Sequence, residues 1–323
     1  MIMRLLSRSK RPDPGVYAQV IGGPFLPGDQ VDVELISTGE AGEKEGGAKE
    51  VFLDLVCRET FWYTVKSTGA AFIGQYPGHG EENHTGMSYT AAGRPGRFKT
   101  SKNLACLSSL VLLNSHDLDH GNLRGTATFQ LPTDAAPSIQ GETVNVDWEL
   151  RLRLNSAPSQ ESTTVGHITV LSSPVGTTGD QERLHGSGHR PAAISKTSTA
   201  RCDVSLALAQ DVMRTGQTLR GVLNARAITD INVTKVQAEL ECLEQAGAKE
   251  SSAVYATAYL QGRSSLQARQ EYQWPFQLEI PDLMLPSANF DETWVVWRVK
   301  GILGRTFRTR LETAAQVQVF TSG

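Results

Sequence analysis

Phe129-Gln-Leu-Pro132-Thr-Asp-Ala-Ala-Pro137-Ser138, followed ten residues on by Trp148, has a counterpart in Pro281-Asp-Leu-Met-Leu-Pro286-Ser287, followed ten residues on by Trp297. Both obey Pro-x4-Pro-Ser-x9-Trp at a constant offset of 149 residues. The same offset carries Ile168 and Val170 onto Val317 and Val319. Agreement over such a span marks an internal duplication, which has to be found before any motif is weighed. Upstream the spacing changes but the order persists. Val16-Tyr-Ala18-Gln-Val20, Gly28 and Val31-Asp-Val33-Glu-Leu35 correspond to Val204-Ser-Leu206-Ala-Leu208, Gly216, Leu219 and Leu223. Leu55-Val-Cys57-Arg-Glu59 corresponds to Leu240-Glu-Cys242-Leu-Glu244. From Cys57 to Pro132 is 75 residues against 39 from Cys242 to Pro281, so the first copy carries an insertion of 36, placed within 66–115.

The copies span 1–173 and 200–323. Between them, 174–199 is rich in Ser, Thr, Gly and Pro (Ser172-Ser-Pro-Val-Gly-Thr-Thr-Gly, Gly186-Ser-Gly-His-Arg-Pro) and reads as a flexible linker. Each copy reads as β throughout. Trp148, Leu150, Leu152 and Leu154 alternate with Glu149, Arg151 and Arg153, and Val295, Trp297 and Val299 alternate with Val296, Arg298 and Lys300. That period of two belongs to a half-buried strand. Thirty glycines and fourteen prolines supply turns between many short strands, so the expected class is all-β, two tandem immunoglobulin-like sandwiches. Leu104, Leu107, Leu110 and Leu113 recur every three residues and allow a helix over 104–113, although Leu110-Val-Leu-Leu113 equally suits a buried strand.

Pro27-Gly28-Asp29-Gln30-Val31, Phe129 to Ser138 and Trp148, with Gly216, Phe276 to Ser287 and Trp297 in the second copy, resemble the arrestin-like superfamily. The organisation is most similar to its compact bacterial sporulation-control and retromer-adaptor members. The resemblance implies a non-enzymatic adaptor or scaffold, and it covers nearly the whole chain. It does not extend to a Pro-Pro-x-Tyr motif, which the sequence lacks, and the last strand ends close to Gly323. Fold analogy does not name a partner.

The 323 residues fit two domains. A net charge of −3 argues against nucleic-acid binding through bulk charge, and there is no apolar run of membrane-spanning length. The four cysteines form no CxxC pair, and Cys57 and Cys242 share the apolar parity of their strands, so both read as core hydrophobes. The segment Met1 to Arg11 lacks a signal-peptide pattern, so the expected location is cytoplasmic, with a peripheral contact between this segment and a membrane surface as a second reading.

The candidate partner-binding residues are basic. Arg298, Lys300, Arg305, Arg308 and Arg310 fall within thirteen residues that contain no acidic one. Leu303-Gly304 reads as the turn of a hairpin, with Arg298 and Lys300 on one face and Arg308 and Arg310 across from them. Repulsion between such facing charges, a few tenths to ~1 kcal/mol per pair, would be relieved by an acidic or phosphorylated peptide or an anionic lipid surface. The plainer reading is a solvated face that blocks edge-to-edge aggregation. The counterparts of Arg298 and Arg310 are Glu149 and Glu161, so the basic character belongs to one copy. A second basic run, Arg94, Arg97, Lys99 and Lys102, lies in the insertion, where loops often carry binding.

His79 and His84, His116 and His120, and His185 and His189 pair locally but follow no established metal-ligand spacing. No nucleophile elbow, phosphate loop or His-Glu-x-x-His motif is present, and adjacent Glu81-Glu82 has no burial to raise a pKa. The expectation is therefore a protein-binding adaptor without catalytic residues or cofactors. The alternatives are a carbohydrate-binding or glycoside-acting sandwich and a self-assembling structural subunit.

Overall fold

The computed structural model describes residues 16–37, 49–65, 96–113, 123–153, 162–173, 193–247, 249–305 and 310–321. Every regular element among them is a strand. The first copy contributes β1 Val16–Ile21, β2 Gln30–Ser37, β3 Lys49–Val65, β4 Gly96–Leu113, β5 Leu123–Gln130, β6 Ile139–Gln140, β7 Val144–Arg153 and β8 Thr163–Ile168. The second contributes β9 Ala193–Ser198, β10 Cys202–Leu208, β11 Val212–Arg214, β12 Thr218–Ala227, β13 Ile231–Val233, β14 Lys235–Ala246, β15 Lys249–Gln261, β16 Ser264–Leu266, β17 Glu271–Glu279, β18 Ala288–Asn289, β19 Thr293–Gly304 and β20 Leu311–Phe320.

The sheets repeat as the sequence does. The order β1-β2-β5 is matched by β10-β12-β17, to which the second copy adds β9, and β4-β3-β7, with β8 and β6 on β7, is matched by β15-β14-β19, with β20 and β18 on β19 and β11 beyond β20. The small ladder β13-β16 lies outside this correspondence. Trp148 stands opposite Ile168 and Trp297 opposite Val317, both at the offset read from the sequence. Each buried indole N–H donates to a carbonyl twelve residues upstream, Trp148 to Ala136 and Trp297 to Leu285, both at 2.8 Å. A buried indole needs such a partner, and the Pro-Ser stretch places it. Gly28 and Gly216 adopt φ of 87° and 78°, and their N–H groups donate to the Pro132 and Ile280 carbonyls. A side chain would be strained there, which explains the shared glycine ahead of β2 and β12.

Contacts divide the chain into two compact units. The first comprises residues 1–58, 103–136 and 147–170, and the second 59–102, 137–146 and 171–323. In the first, Val31, Val33 and Leu35 of β2 are buried, as are Val51, Leu53, Leu55 and Cys57 of β3 and Trp148, Leu150 and Leu152 of β7. A Cβ added at Gly166 on β8 would lie 3.6 Å from the Ala18 Cβ on β1, so the two sheets approach closely there. In the second, Leu206, Leu219, Leu223, Leu240, Cys242, Val295, Trp297, Val299 and Val317 form the core. A Cβ on Gly301 would lie 2.3 Å from Leu223 Cδ1 of the facing sheet. These are β-sandwiches with inward and outward residues alternating along each strand.

Three expectations are corrected. Residues 104–113 are strand, not helix: β4 is continuous, and its leucines, spaced by three, fall on alternate faces, with Leu104 and Leu107 half-buried and Leu110 exposed. Leu303-Gly304 is not a turn. β19 runs through Gly304, and Leu303 pairs with Leu311. Gly301 and Gly304 are instead points of close approach, to Leu223 and to Thr234 with Lys235, as strand glycines often are. Finally, the stretch read as linker ends in structure, because Ala193–Ser198 forms β9 against β10. Residues 66–95 of the insertion, and 174–192, lie outside the described residues.

Candidate interaction surface

The candidate cations Arg298 and Lys300 lie on the face of β19 opposite Val295, Trp297 and Val299, and on the neighbouring β14 that face is buried too, at Gln237, Glu241 and Leu243. Their cross-strand neighbours on β20 are Gln316 and Ala314, not Arg308 and Arg310, so the expected like-charge pairing is absent. On the other side, Arg298 faces Glu241 and Lys300 faces Glu239 of β14. Glu241 is 5% exposed and binds both cations, with Lys300 Nζ at 2.8 Å and the Arg298 guanidinium donating to the same Oε2. Burial disfavours ionisation of Glu241, but the hydrogen bonds from Lys300 and Arg298 outweigh it and hold the carboxyl below its ordinary value. These two cations are therefore spent within the sheet. The register that pairs them joins residues 57 positions apart, which no local spacing announces.

The other candidates lie apart. Arg305 follows β19 and is half-buried, and Arg310 is exposed and bonds Glu312 at 2.8 Å. Arg308 and Arg94 lie outside the described residues, as do Met1 to Arg11 and the histidine pairs of 79–84, 116–120 and 185–189. Arg97 is within β4. Lys99 Nζ stands 5.8 Å from the Trp62 ring centroid. Lys102 bonds Asp291 at 2.8 Å, and that bond raises the lysine's pKa and lowers the carboxyl's.

The first unit shows the same economy on its own sheet. Asp54 accepts from the Arg153 guanidinium and from the Ser108 hydroxyl, the latter at 2.6 Å, and Arg153 packs on the Phe52 ring at 5.2 Å. Arg151 bonds Glu149 on its own strand at 2.7 Å.

Two buried carboxylates in the second unit were not singled out from the sequence. Glu244 accepts backbone N–H groups of Glu142, Thr143 and Val144 at 3.0, 2.8 and 3.0 Å. Glu59, 1% exposed, accepts the Thr293 hydroxyl. Burial pushes the Glu59 carboxyl above its ordinary value, helped by Glu292 and Asp291 and opposed by the Thr293 hydroxyl and Lys102. A signal for both was present: each lies two residues past a buried cysteine, at core parity, where a carboxylate persists only if it is hydrogen-bonded. Tyr272 and Trp274 stack at 5.9 Å, but their polar ends are bonded to Gln267, Gln270 and Gln261.

Most of the large apolar side chains that face outward sit at sheet edges. Eleven large hydrophobic side chains are exposed among the described residues, and eight of them lie on strands that end a sheet. They are Tyr17 and Ile21 on β1, Leu110 and Leu112 on β4, Ile194 on β9, and Val254, Tyr255 and Tyr259 on β15.

The fold and surface define a tandem β-sandwich protein, and none of its described helical content, which is nil, could cross a membrane. No protein-family model and no curated protein matches the chain. Among solved structures it is similar to the sporulation control protein Spo0M from Bacillus subtilis, at 16% identity and a TM-score of 0.33, over 38% of this chain and 50% of that one. The match thus spans half of Spo0M.

Proposed function

We propose that this chain is a non-enzymatic adaptor or scaffold that binds a protein partner through the edges of its sheets, as its sequence resemblance to arrestin-like proteins implies. One observation carries this reading: exposed apolar side chains concentrate on strands that end a sheet, while the charged residues of the sheet faces pair among themselves. An edge strand offers unpaired backbone groups to an incoming strand, and apolar neighbours reward its side chains. Capture from the native host cytoplasm, with Ile194→Lys, Leu110→Lys and Tyr259→Lys tested singly, checks it. At least one is expected to abolish capture of a partner while its melting temperature stays within a degree or two of the parent's. Capture unaffected by all three would remove strand edges from the account.

A further inference from the structure

Glu59 and Glu244 stand at matching positions of the duplication, and within the second unit each meets a turn that opens a tryptophan strand. Glu244 meets residues 142–144 at the start of β7, and Glu59 meets Thr293 at the start of β19. The offset of 149 carries residues 141–144 onto 290–293, and the two turns are closed in the same way. The Gly141 N–H donates to the Val144 carbonyl at 3.0 Å, and the Phe290 N–H to the Thr293 carbonyl at 2.8 Å. The Thr143 and Glu292 carbonyls accept from the N–H groups of Trp62 and Gly247, at 3.2 and 3.0 Å, and those two residues are counterparts as well.

One residue separates the chemistry of the two contacts. Where the first turn has Gly141, the second has Phe290. A Cβ at Gly141 would collide with the Glu244 carboxylate, so it is the glycine turn that lets a carboxylate settle on three backbone N–H groups. Glu59 instead accepts the Thr293 hydroxyl and, among the described residues, no backbone N–H. A carboxylate has places for about four donors, so ionised Glu59 is short of them where water cannot make up the difference. Its surroundings add charge of its own sign. Among the described residues, the charged groups acting on it are Lys102 from β4 and Asp291 and Glu292 from the turn, and Lys102 is itself bonded to Asp291.

We infer that Glu59 is a proton-operated catch on the β18–β19 turn: neutral, it holds residues 290–293 in place, and ionised, it lets them open. The matching turn, seated on Glu244 by backbone donors, does not depend on Glu59. Burial, with Glu292 and Asp291, pushes the Glu59 carboxyl above its ordinary 4.5, against the Thr293 hydroxyl and Lys102. A group raised in the closed form favours closing below the ordinary value, and that preference is lost as pH rises through the closed-form pKa. The turn is therefore closed in acid and released as pH rises. Release carries the exposed Asp291 and Glu292 with it and leaves Glu59 ionised, so it changes the charge presented at this turn.

Hydrogen exchange of the full chain from acid to neutral pH, read by peptide mass spectrometry and corrected for intrinsic rates, tests this. Protection of residues 289–293 is expected to fall as pH rises, by at most about tenfold per pH unit, the limit set by one proton. Residues 140–144 of the same molecule are the control and are expected not to share the fall. Glu59→Gln keeps the shape and stays neutral, so it is expected to remove the fall. Lys102→Met takes away the opposing cation and should move the release to higher pH. Asp291→Asn with Glu292→Gln should move it to lower pH. A contact with no titrating catch would be loosened by these changes at every pH, with no midpoint to move. If thermal unfolding shows that Glu59→Gln does not fold, the two opposed shifts decide, because they leave Glu59 in place. A fall that persists in folded Glu59→Gln, the same fall in both turns of wild type, or midpoints that do not part in the two charge variants overturns the inference.

Discussion

At Gly141 the turn before β7 has no room for a side chain. An added Cβ would lie 2.2 Å from Glu244 Oε2 and 2.6 Å from the Val144 carbonyl. The absent Cβ is what lets the carboxylate descend onto three backbone N–H groups. Gly141→Ala should push the carboxylate off those donors and cost about 2–3 kcal/mol, since a buried charge then loses its hydrogen bonds. Gly262→Ala, where no atom lies within 4 Å, should be close to neutral, and paired thermal melts compare the two. Glu59 and Glu241 predict opposite pH slopes. The folded pKa of Glu59 is raised above its ordinary 4.5, so its contribution is fully present below that value and is lost as pH rises through the folded pKa. Glu241 is lowered, so its contribution is present above the ordinary value and is lost as pH falls through the folded pKa. In urea titrations across mildly acidic pH, Glu59→Gln should therefore remove a loss of stability on raising pH, and Glu241→Gln a loss on lowering it.

The strands show how much of the architecture was legible in sequence. Strand parity was, because one side of each sheet excludes water and only a period of two satisfies that: Trp148, Leu150 and Leu152 are buried as their alternation required. Register at the tryptophans was legible too, because the duplication supplied a second copy of the same spacing. The charge pairs were not, since Glu241 meets Arg298 and Lys300 only through the β14–β19 ladder. The turn at Leu303-Gly304 was not legible, because a strand glycine and a turn glycine look alike until Thr234 and Lys235 are found filling the space beside Gly304. The pairing with buried Glu241 decides what a charge reversal should do. Arg298→Glu with Lys300→Glu would surround buried Glu241 with like charge. A loss of about 3 kcal/mol or more is expected in thermal unfolding. Lys300→Met, which keeps the aliphatic volume and leaves Arg298 as counter-ion, should cost less. The duplication makes a further prediction. Trp148→Phe and Trp297→Phe each remove an indole N–H from a backbone carbonyl and should destabilise by similar amounts, about 1–3 kcal/mol, in denaturant unfolding.

Over the whole molecule, a net charge of −3 and a sequence pI near 6.2 leave little general repulsion between copies just above neutrality, and almost none slightly below it. A chain in this position depends on its edges for solubility, because unpaired backbone at a neutral edge is where copies first join. β15, with no charge from Ser251 to Gln261, and β4, with none from Asn103 to Leu113, have the longest neutral runs. Light scattering against pH should peak near 6. Tyr259→Lys with Leu110→Lys should flatten that peak by placing charge on both edges. Thr229→Lys with Gln267→Lys adds the same two charges at exposed positions in turns away from those edges. If overall charge governs association, the two pairs shift the peak alike. If the edges govern it, the turn pair moves the peak to higher pH without lowering it, and only the edge pair lowers it.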